Sequence, residues 1–279
     1  MGPSNQRPVM AARGVGVAQT GICAENAAET RVRVRLLEFH VVDHCNLQCS
    51  GCSHFSPSAP KRNVSAAEIE RELRAATRSM APQWVHVLGG EPTLNPELPA
   101  LLPLFRAYFP DAGIKLVTNG SRFGRVKRRL LPVLAEQRIA LSVSRYPEIA
   151  LDWAEIERDC AAAGVELEIW DQTTFMDFLD PTGTSDPVEA RAHCAMEGCL
   201  NVRDGVLYPC PVAAWPDLAG GRLVVDDGIS LGAGADALAA ILDTTRLTSM
   251  CRYCLPRPAR MPHVQGDRRP LLQPLSEKP

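Results

Sequence analysis

Between residues 31 and 170, segments of strand-like character alternate with segments of helical period. Arg31 to Val42 (RVRVRLLEFHVV) reads as a strand, and a cysteine-rich loop follows it directly. Ser65 opens a helix with a capping box to Glu68, and Ile69, Leu73 and Ala76 keep one apolar face. The pattern then gives a strand at Trp84 to Leu88, a helix from about Glu97 to Tyr108, a strand at Ile114 to Val117 and a basic helix from about Arg122 to Glu136. A strand at Ile139 to Val143, a helix from Trp153 to Ala163 and a strand at Val165 to Trp170 complete the run. This spacing predicts βα units and a parallel sheet. Five or six strands are too few to close an eight-stranded barrel, so the expected fold is α/β, an open partial barrel with its functional loops after the strands.

The flanks read differently. Residues 1–30 mix Gly, Ala and polar residues without a sustained period and predict a disordered tail. From about Pro181, Gly and Pro become frequent, five cysteines appear, and helical period is weak until roughly Asp236 to Leu247. Four prolines follow Met261. The expected division is a tail at 1–30, a partial barrel at 31–185, a small second domain at 186–261 and a tail at 262–279.

The 279 residues are 46% hydrophobic and 22% charged, which excludes a wholly disordered chain. Thirty Lys and Arg against 32 Asp and Glu leave a formal charge of −2, so no global basic field exists to hold nucleic acid or an anionic membrane. With no long apolar run and a poor signal segment at Val9 to Ala18, the chain reads as soluble and cytoplasmic. Ten cysteines are too few for a disulfide scaffold and many for a cytosolic protein without metal or redox chemistry.

Cys45, Cys49 and Cys52 stand in HCNLQCSGC, a C-x3-C-x2-C spacing in the loop after the first strand. A structural zinc site takes four ligands. Three tightly spaced thiolates without a local fourth suit an iron-sulfur cluster with one iron left open. With this triad the sequence resembles the radical S-adenosylmethionine (SAM) superfamily, whose partial βα barrel carries this motif after its first strand. Gly89-Gly90-Glu91-Pro92, at the end of the second strand, matches that family's Gly-Gly-Glu segment. The resemblance implies that SAM chelates the open iron and that Gly89, Gly90 and Glu91 hold its amine. It also implies that Asn119 and Gly120 in LVTNG, with Ser142 and Ser144 in LSVSR, contact its ribose and carboxylate. Gly51 departs from the family, which often has an aromatic residue there, so His54 or Phe55 is expected to flank the adenine instead.

A second group, Cys194, Cys199, Cys210, Cys251 and Cys254, surrounds Asp204-Gly205, a strong hairpin turn. Its spacing resembles the SPASM and twitch auxiliary-cluster domains and implies one auxiliary four-iron cluster, making two four-iron four-sulfur (4Fe-4S) clusters in all. A four-cysteine zinc site is the plainer alternative. Five thiols for four positions leave one spare. The spacing template uses Cys194, Cys210, Cys251 and Cys254 and frees Cys199. Alternatively, Cys194, Cys199, Cys210 and Cys254 are the ligands and Cys251 is free. Cys23 and Cys160 are read as bystanders.

From Asp159 to Ala190 there are eight acids and no Lys or Arg, a segment of −8 that leaves +6 for the rest of the chain. Asp171, Asp177 and Asp180, interleaved with Trp170, Phe175 and Phe178, are expected at the mouth of the barrel. There they suit a cationic, hydroxylated substrate such as an amino sugar, unless the stretch is a solvated linker. Arg122, Arg125, Lys127, Arg128 and Arg129 read as the solvated face of a helix.

The family implies that reductive cleavage of SAM gives a 5'-deoxyadenosyl radical that removes a hydrogen atom from the substrate, with electrons from a donor such as flavodoxin or ferredoxin. The compact length, single auxiliary cluster, spare cysteine and acidic mouth resemble the aminoglycoside epimerases of antibiotic biosynthesis. That resemblance implies an isomerase in which Cys251, or alternatively Cys199, returns hydrogen to the opposite face. A dehydrogenase that makes a ketone, a peptide-modifying maturase and a non-catalytic zinc module are the other readings.

Overall fold

β1 (Val32–His40) forms the middle of a sheet, and Leu36 to His40 are buried one after another. Such continuous burial is expected of a strand with parallel neighbours and covered faces. The computed structural model describes residues 31–216, 223, 225–243 and 246–263. The predicted tail at 1–30 with Cys23, and residues 264–279, lie outside the described residues.

On one side of β1, β2 (Met80–Leu88), β3 (Gly113–Thr118), β4 (Ala140–Arg145) and β5 (Leu167–Asp171) pair in parallel, each with the one before. The crossovers are α1 (Ala66–Ser79), α2 (Leu98–Tyr108), α3 (Phe123–Glu136) and α4 (Trp153–Ala163). α1 starts where the capping box predicts. The Ser65 backbone N–H donates to Glu68 Oε2 at 2.8 Å while Ser65 Oγ takes the Glu68 N–H at 3.4 Å, an arrangement that stabilises the first turn by about 1 kcal/mol. Its Ile69, Leu73 and Ala76 are buried in one continuous core with Leu37 and Phe39 of β1 and Leu101 and Phe105 of α2.

The C-terminal region departs from expectation in three places. The hairpin at Asp204-Gly205 forms, with both residues at positive φ, between β7 (Leu200–Arg203) and β8 (Val206–Tyr208). β7, however, lies parallel to the free edge of β1, so the hairpin and β9 (Ile229–Ser230) extend the barrel sheet itself. The sheet has eight strands in the order β5-β4-β3-β2-β1-β7-β8-β9 and remains open, because no pairing joins β5 to β9 among the described residues. Second, the predicted acidic loop contains β6 (Thr174–Leu179), which pairs antiparallel with β10 (Cys254–Pro262) across a bulge. Neither strand is legible alone: β6 begins on Thr174 and carries Asp177 within it, and β10 carries three prolines. Third, α5 (Pro187–Ala192) is an extra short helix, and α6 (Ala235–Leu242) ends five residues before the predicted Leu247.

A second apolar cluster joins Phe55, from the loop after β1, to Phe178, Leu179, Val212, Trp215 and Met250, with Cys210 and Cys254 packed against it. No helix among the described residues is long and apolar enough to cross a membrane.

Candidate functional site: a thiol-lined cavity at the strand ends

Because the strands are parallel, the loops after β1 to β5 collect at one end of the sheet, and a cavity of about 330 Å³ opens there. Cys45, Cys49 and Cys52 line it from the first loop, Gly89 and Gly90 from the end of β2, Asn119 from the end of β3 and Ser144 from β4. The glycines are needed for close approach. A Cβ on Gly89 would stand 2.2 Å from Val42 O, and one on Gly90 would stand 2.1 Å from His44 O. Instead Gly90 N donates to Val42 O and Glu91 N to His44 O, both at 3.1 Å, which ties the cysteine loop to the end of β2.

Glu91 does not line the cavity. It is fully buried, and its carboxylate accepts from Thr93 N at 3.1 Å, Thr93 Oγ1 at 2.5 Å, Thr118 Oγ1 at 2.6 Å and Asn119 N at 2.9 Å. With four donors already in place, it holds the β2 and β3 ends together. Asn119 is one polar group that reaches the triad: Nδ2 lies 3.0 Å from Asn46 Oδ1 and 3.8 Å from Cys45 Sγ. Ser142 is buried away from the cavity, whereas Ser144 lines it.

Two neighbours were not singled out in the sequence, Tyr146 and Gln172, which line the cavity just after β4 and β5; Phe175 of β6 and Phe178, expected at the mouth, line it too. His54 lines it as well, with Nε2 buried and unpartnered. Phe55 instead fills the second apolar cluster. Gly51 has φ +70°, and a Cβ there would meet Met176 O at 2.8 Å and the Met261 side chain, so the aromatic residue common in the family has no room.

None of Asp171, Asp177 and Asp180 lines the cavity, contrary to the expectation of an acidic mouth. Asp171 is exposed and paired with Arg145, whose Nη2 lies 2.7 Å from Oδ2. Asp177 is exposed on β6. Asp180 is buried and folds the following turn onto itself, accepting from Thr182 Oγ1 at 2.6 Å, Ser185 N at 2.8 Å and Ser185 Oγ at 2.8 Å. Burial alone would raise its pKa, but these bonds to Thr182 and Ser185 hold it well below the usual carboxylate range. The residues lining the cavity include no Asp, Glu, Lys or Arg among those described.

The five later cysteines do not form one equal group. Cys210 lies within electrostatic reach of Cys194, Cys251 and Cys254, and Cys254 within reach of Cys194 and Cys251. Cys199 shares that relation with Cys194 alone and otherwise faces Glu38 and Arg35. Burial raises the thiol pKa of Cys45, Cys199 and Cys254 to about 12 each, and raises Cys52 and Cys210 too. Without a bound group these thiols stay protonated, and binding a metal would release their protons.

The donor sets suit iron-sulfur clusters. The triad faces a cavity that Gly89 and Gly90 also line, and the missing side chains of these glycines let the cysteine loop pack against the end of β2. Among the described residues, no three His, Cys, Asp or Glu side chains converge on one ion. A four-iron cluster takes each thiolate on a different iron and needs no such convergence.

An open parallel sheet with a three-cysteine loop at its strand ends defines a class of cluster-binding βα proteins. Residues 40–158 match the Radical SAM superfamily. A probable GTP 3',8-cyclase of Pyrococcus abyssi is 32% identical over 85 residues, 30% of this chain and 27% of that protein. GTP 3',8-cyclase of Mannheimia succiniciproducens is 31% identical over 88 residues, 31% of this chain and 26% of that protein. The matched stretch is thus about a quarter of the length of these curated relatives. The crystal structure of BtrN in complex with AdoMet and 2-DOIA matches with a TM-score of 0.52 at 18% identity. It covers 79% of this chain and 92% of BtrN, which shows the shared fold.

The isomerase expectation is corrected by this comparison, since BtrN is an oxidoreductase. The cavity agrees with the correction. Inversion needs a spare thiol facing the substrate, but Cys251 sits among Cys194, Cys210 and Cys254, and neither it nor Cys199 lines the cavity.

Proposed function

We propose that the protein is a radical SAM dehydrogenase that oxidises a secondary alcohol of a small amino sugar or aminocyclitol to a ketone. The observation that carries this reading is the partition of the thiols. Cys45, Cys49 and Cys52 are the cysteines of the cavity among the described residues, while Cys194, Cys210, Cys251 and Cys254 lie close to one another, with Cys210 and Cys254 packed against the cluster of Phe55 and Phe178. The fold shared with BtrN, solved with AdoMet and 2-DOIA, favours the same class of small substrate.

The first three thiolates would hold one 4Fe-4S cluster. Cys194, Cys210, Cys251 and Cys254 would hold a second, with Cys199 left over. When bound, the first cluster with SAM supplies removal of a hydrogen atom from an unactivated carbon, and the second supplies an acceptor for the electron left behind. The chain's own part is recognition and exclusion of water. Gly89 and Gly90 expose backbone for close approach, as SAM binding requires. Ser144, Tyr146, Gln172 and Thr174 present hydroxyl and amide groups suited to ring hydroxyls, and Phe175 offers an apolar face. The apolar cluster around Phe178 and Trp215 keeps the space between the two cysteine groups dry. The first cluster would be reduced by an external one-electron donor such as flavodoxin or ferredoxin.

Anaerobic turnover with SAM and a panel of aminocyclitols and aminoglycosides in deuterated water tests the reading. The expected product is a ketone lacking two hydrogens, from protein carrying about eight irons per chain. Replacing Cys45, Cys49 and Cys52 together by Ala is expected to remove about half the iron and all cleavage of SAM. An alcohol of inverted configuration carrying one deuterium, or protein with zinc in place of iron, would overturn it.

A further inference from the structure

His263 follows the last residue of β10 and is buried at the cysteine loop, 214 residues away from Cys49 in sequence. Its Nε2 lies 3.2 Å from Cys49 Sγ, and its Nδ1 is hydrogen bonded to the Glu148 carboxylate. The ring cannot turn freely. Tyr146 stacks on it with centroids 4.4 Å apart and planes 27° from parallel, and Phe175 lies 5.0 Å away. His263 N donates to Thr173 O at 3.2 Å, which anchors its backbone to the start of β6. Nothing in the cysteine motif or the glycine segment requires a histidine there. The side chain has an exposed carboxylate behind it, aromatic rings beside it and a thiol in front.

We propose that Glu148 and His263 form a positioning pair that donates a hydrogen bond to the Cys49 sulfur and raises the reduction potential of the cluster held by Cys45, Cys49 and Cys52. The inference rests on the cluster assignment above. Glu148 is hydrogen bonded to Nδ1 and thereby aims Nε2 at the sulfur. A donated hydrogen bond withdraws electron density from the thiolate, so the added electron is better accommodated on the reduced cluster. It also orients Cys49, as outer-shell partners orient metal ligands generally. Because β10 supplies His263 at one end and Cys254 at the other, the strand that begins at the second cysteine group ends on a ligand of the first.

The test is potentiometric EPR of the reconstituted protein, following the reduced signal that changes when SAM is added and so belongs to the first cluster. His263→Phe keeps a ring between Tyr146 and Phe175 and removes the donor. Its reduced fraction at a fixed potential near the wild-type midpoint is expected to fall about tenfold in reduced-to-oxidised ratio, or 59 mV for one electron. His263→Gln, which restores an N–H donor, is expected to recover part of the shift. Glu148→Gln, which leaves the ring in place, is expected to shift it in the same direction by less. An unchanged midpoint in His263→Phe at full iron content overturns the proposal. If that variant loses iron, Glu148→Gln decides: a lowered midpoint supports the pair and an unchanged one overturns it. A wild-type protein without a SAM-responsive signal would instead defeat the cluster assignment itself.

Discussion

In residues 31–171 every strand pairs with the strand next to it in the chain, and the helices between them share one core. In residues 172–263 the long pairings dominate: β7 returns to β1 and β10 returns to β6. The first region builds a platform by repetition and presents short loops at one end. The second covers that end with aromatic side chains and a strand whose last neighbour touches Cys49. The platform sets where chemistry can occur, and the cover sets which thiols, rings and hydroxyls meet there.

The largest expected effect lies at the centre of the cover. Trp215 is almost fully buried, stacks under the Arg203 guanidinium at 3.9 Å and has its ring 4.8 Å from that of His40. Trp215→Ala is expected to cost about 3–5 kcal/mol in urea unfolding, and to lower iron content if the proposed second cluster is held by the four later cysteines. Phe105→Ala in the platform is expected to cost a similar amount with iron content unchanged. Equal iron loss in both variants would show that the regions unfold as one. Trp215→Phe also removes an unpartnered buried indole N–H, so its cost is expected to be much smaller.

Glycines give the next contrast. Gly90→Ala drives a Cβ against the backbone of His44 and Cys45, and is expected to cost about 2–3 kcal/mol and abolish SAM binding measured by equilibrium dialysis. Gly205→Ala, at φ +77° with nothing within 4 Å of the new atom, is expected to cost only the left-handed backbone strain, about 1 kcal/mol, with SAM binding intact.

A smaller, pH-dependent effect sits where the regions join. Glu72 of α1 accepts from Gly205 N at 3.1 Å, and Arg62 reaches Asp204 at 2.6 Å, Glu68 at 3.3 Å and Asp43 at 3.4 Å. Burial raises the Glu72 carboxyl from 4.5 to about 7, so the folded state binds its proton more tightly than the unfolded chain does. Stability therefore falls as pH rises from about 4.5 through 7, and the full cost is present above that range. Glu72→Gln is expected to stabilise the protein by about 1–3 kcal/mol at pH 8 and by little at pH 4.5, read from thermal melting. A stabilisation independent of pH would assign the effect to packing.

The platform was legible in the residues because its signals are local. The Ser65 and Glu68 cap, the apolar face of Ile69 and Leu73, and the triad spacing of Cys45, Cys49 and Cys52 each lie within one turn or loop. Parallel strands then carry those loops to a common end without further information. Gly205 was equally readable, since a two-residue turn at positive φ leaves few other choices.

What the tertiary structure decided involves partners far apart in the chain, where composition is a poor guide. The eight acids of 159–190 suggested a charged mouth, but Asp180 is used up by its own turn and Asp171 by Arg145, so the cavity is lined by neutral hydroxyl and amide groups. Five thiols could be counted but not divided, because the division depends on β10 returning to β6 and carrying Cys254 toward Cys210. His263, read as part of a tail, became a neighbour of Cys49 by the same pairing. The amino-acid sequence by itself determined the repeating platform and the spacing of its three-cysteine loop, since short-range periodicity and spacing encode both. The closing of the site was decided by strand pairings over more than 70 residues, which gain their stability only once the platform offers an edge.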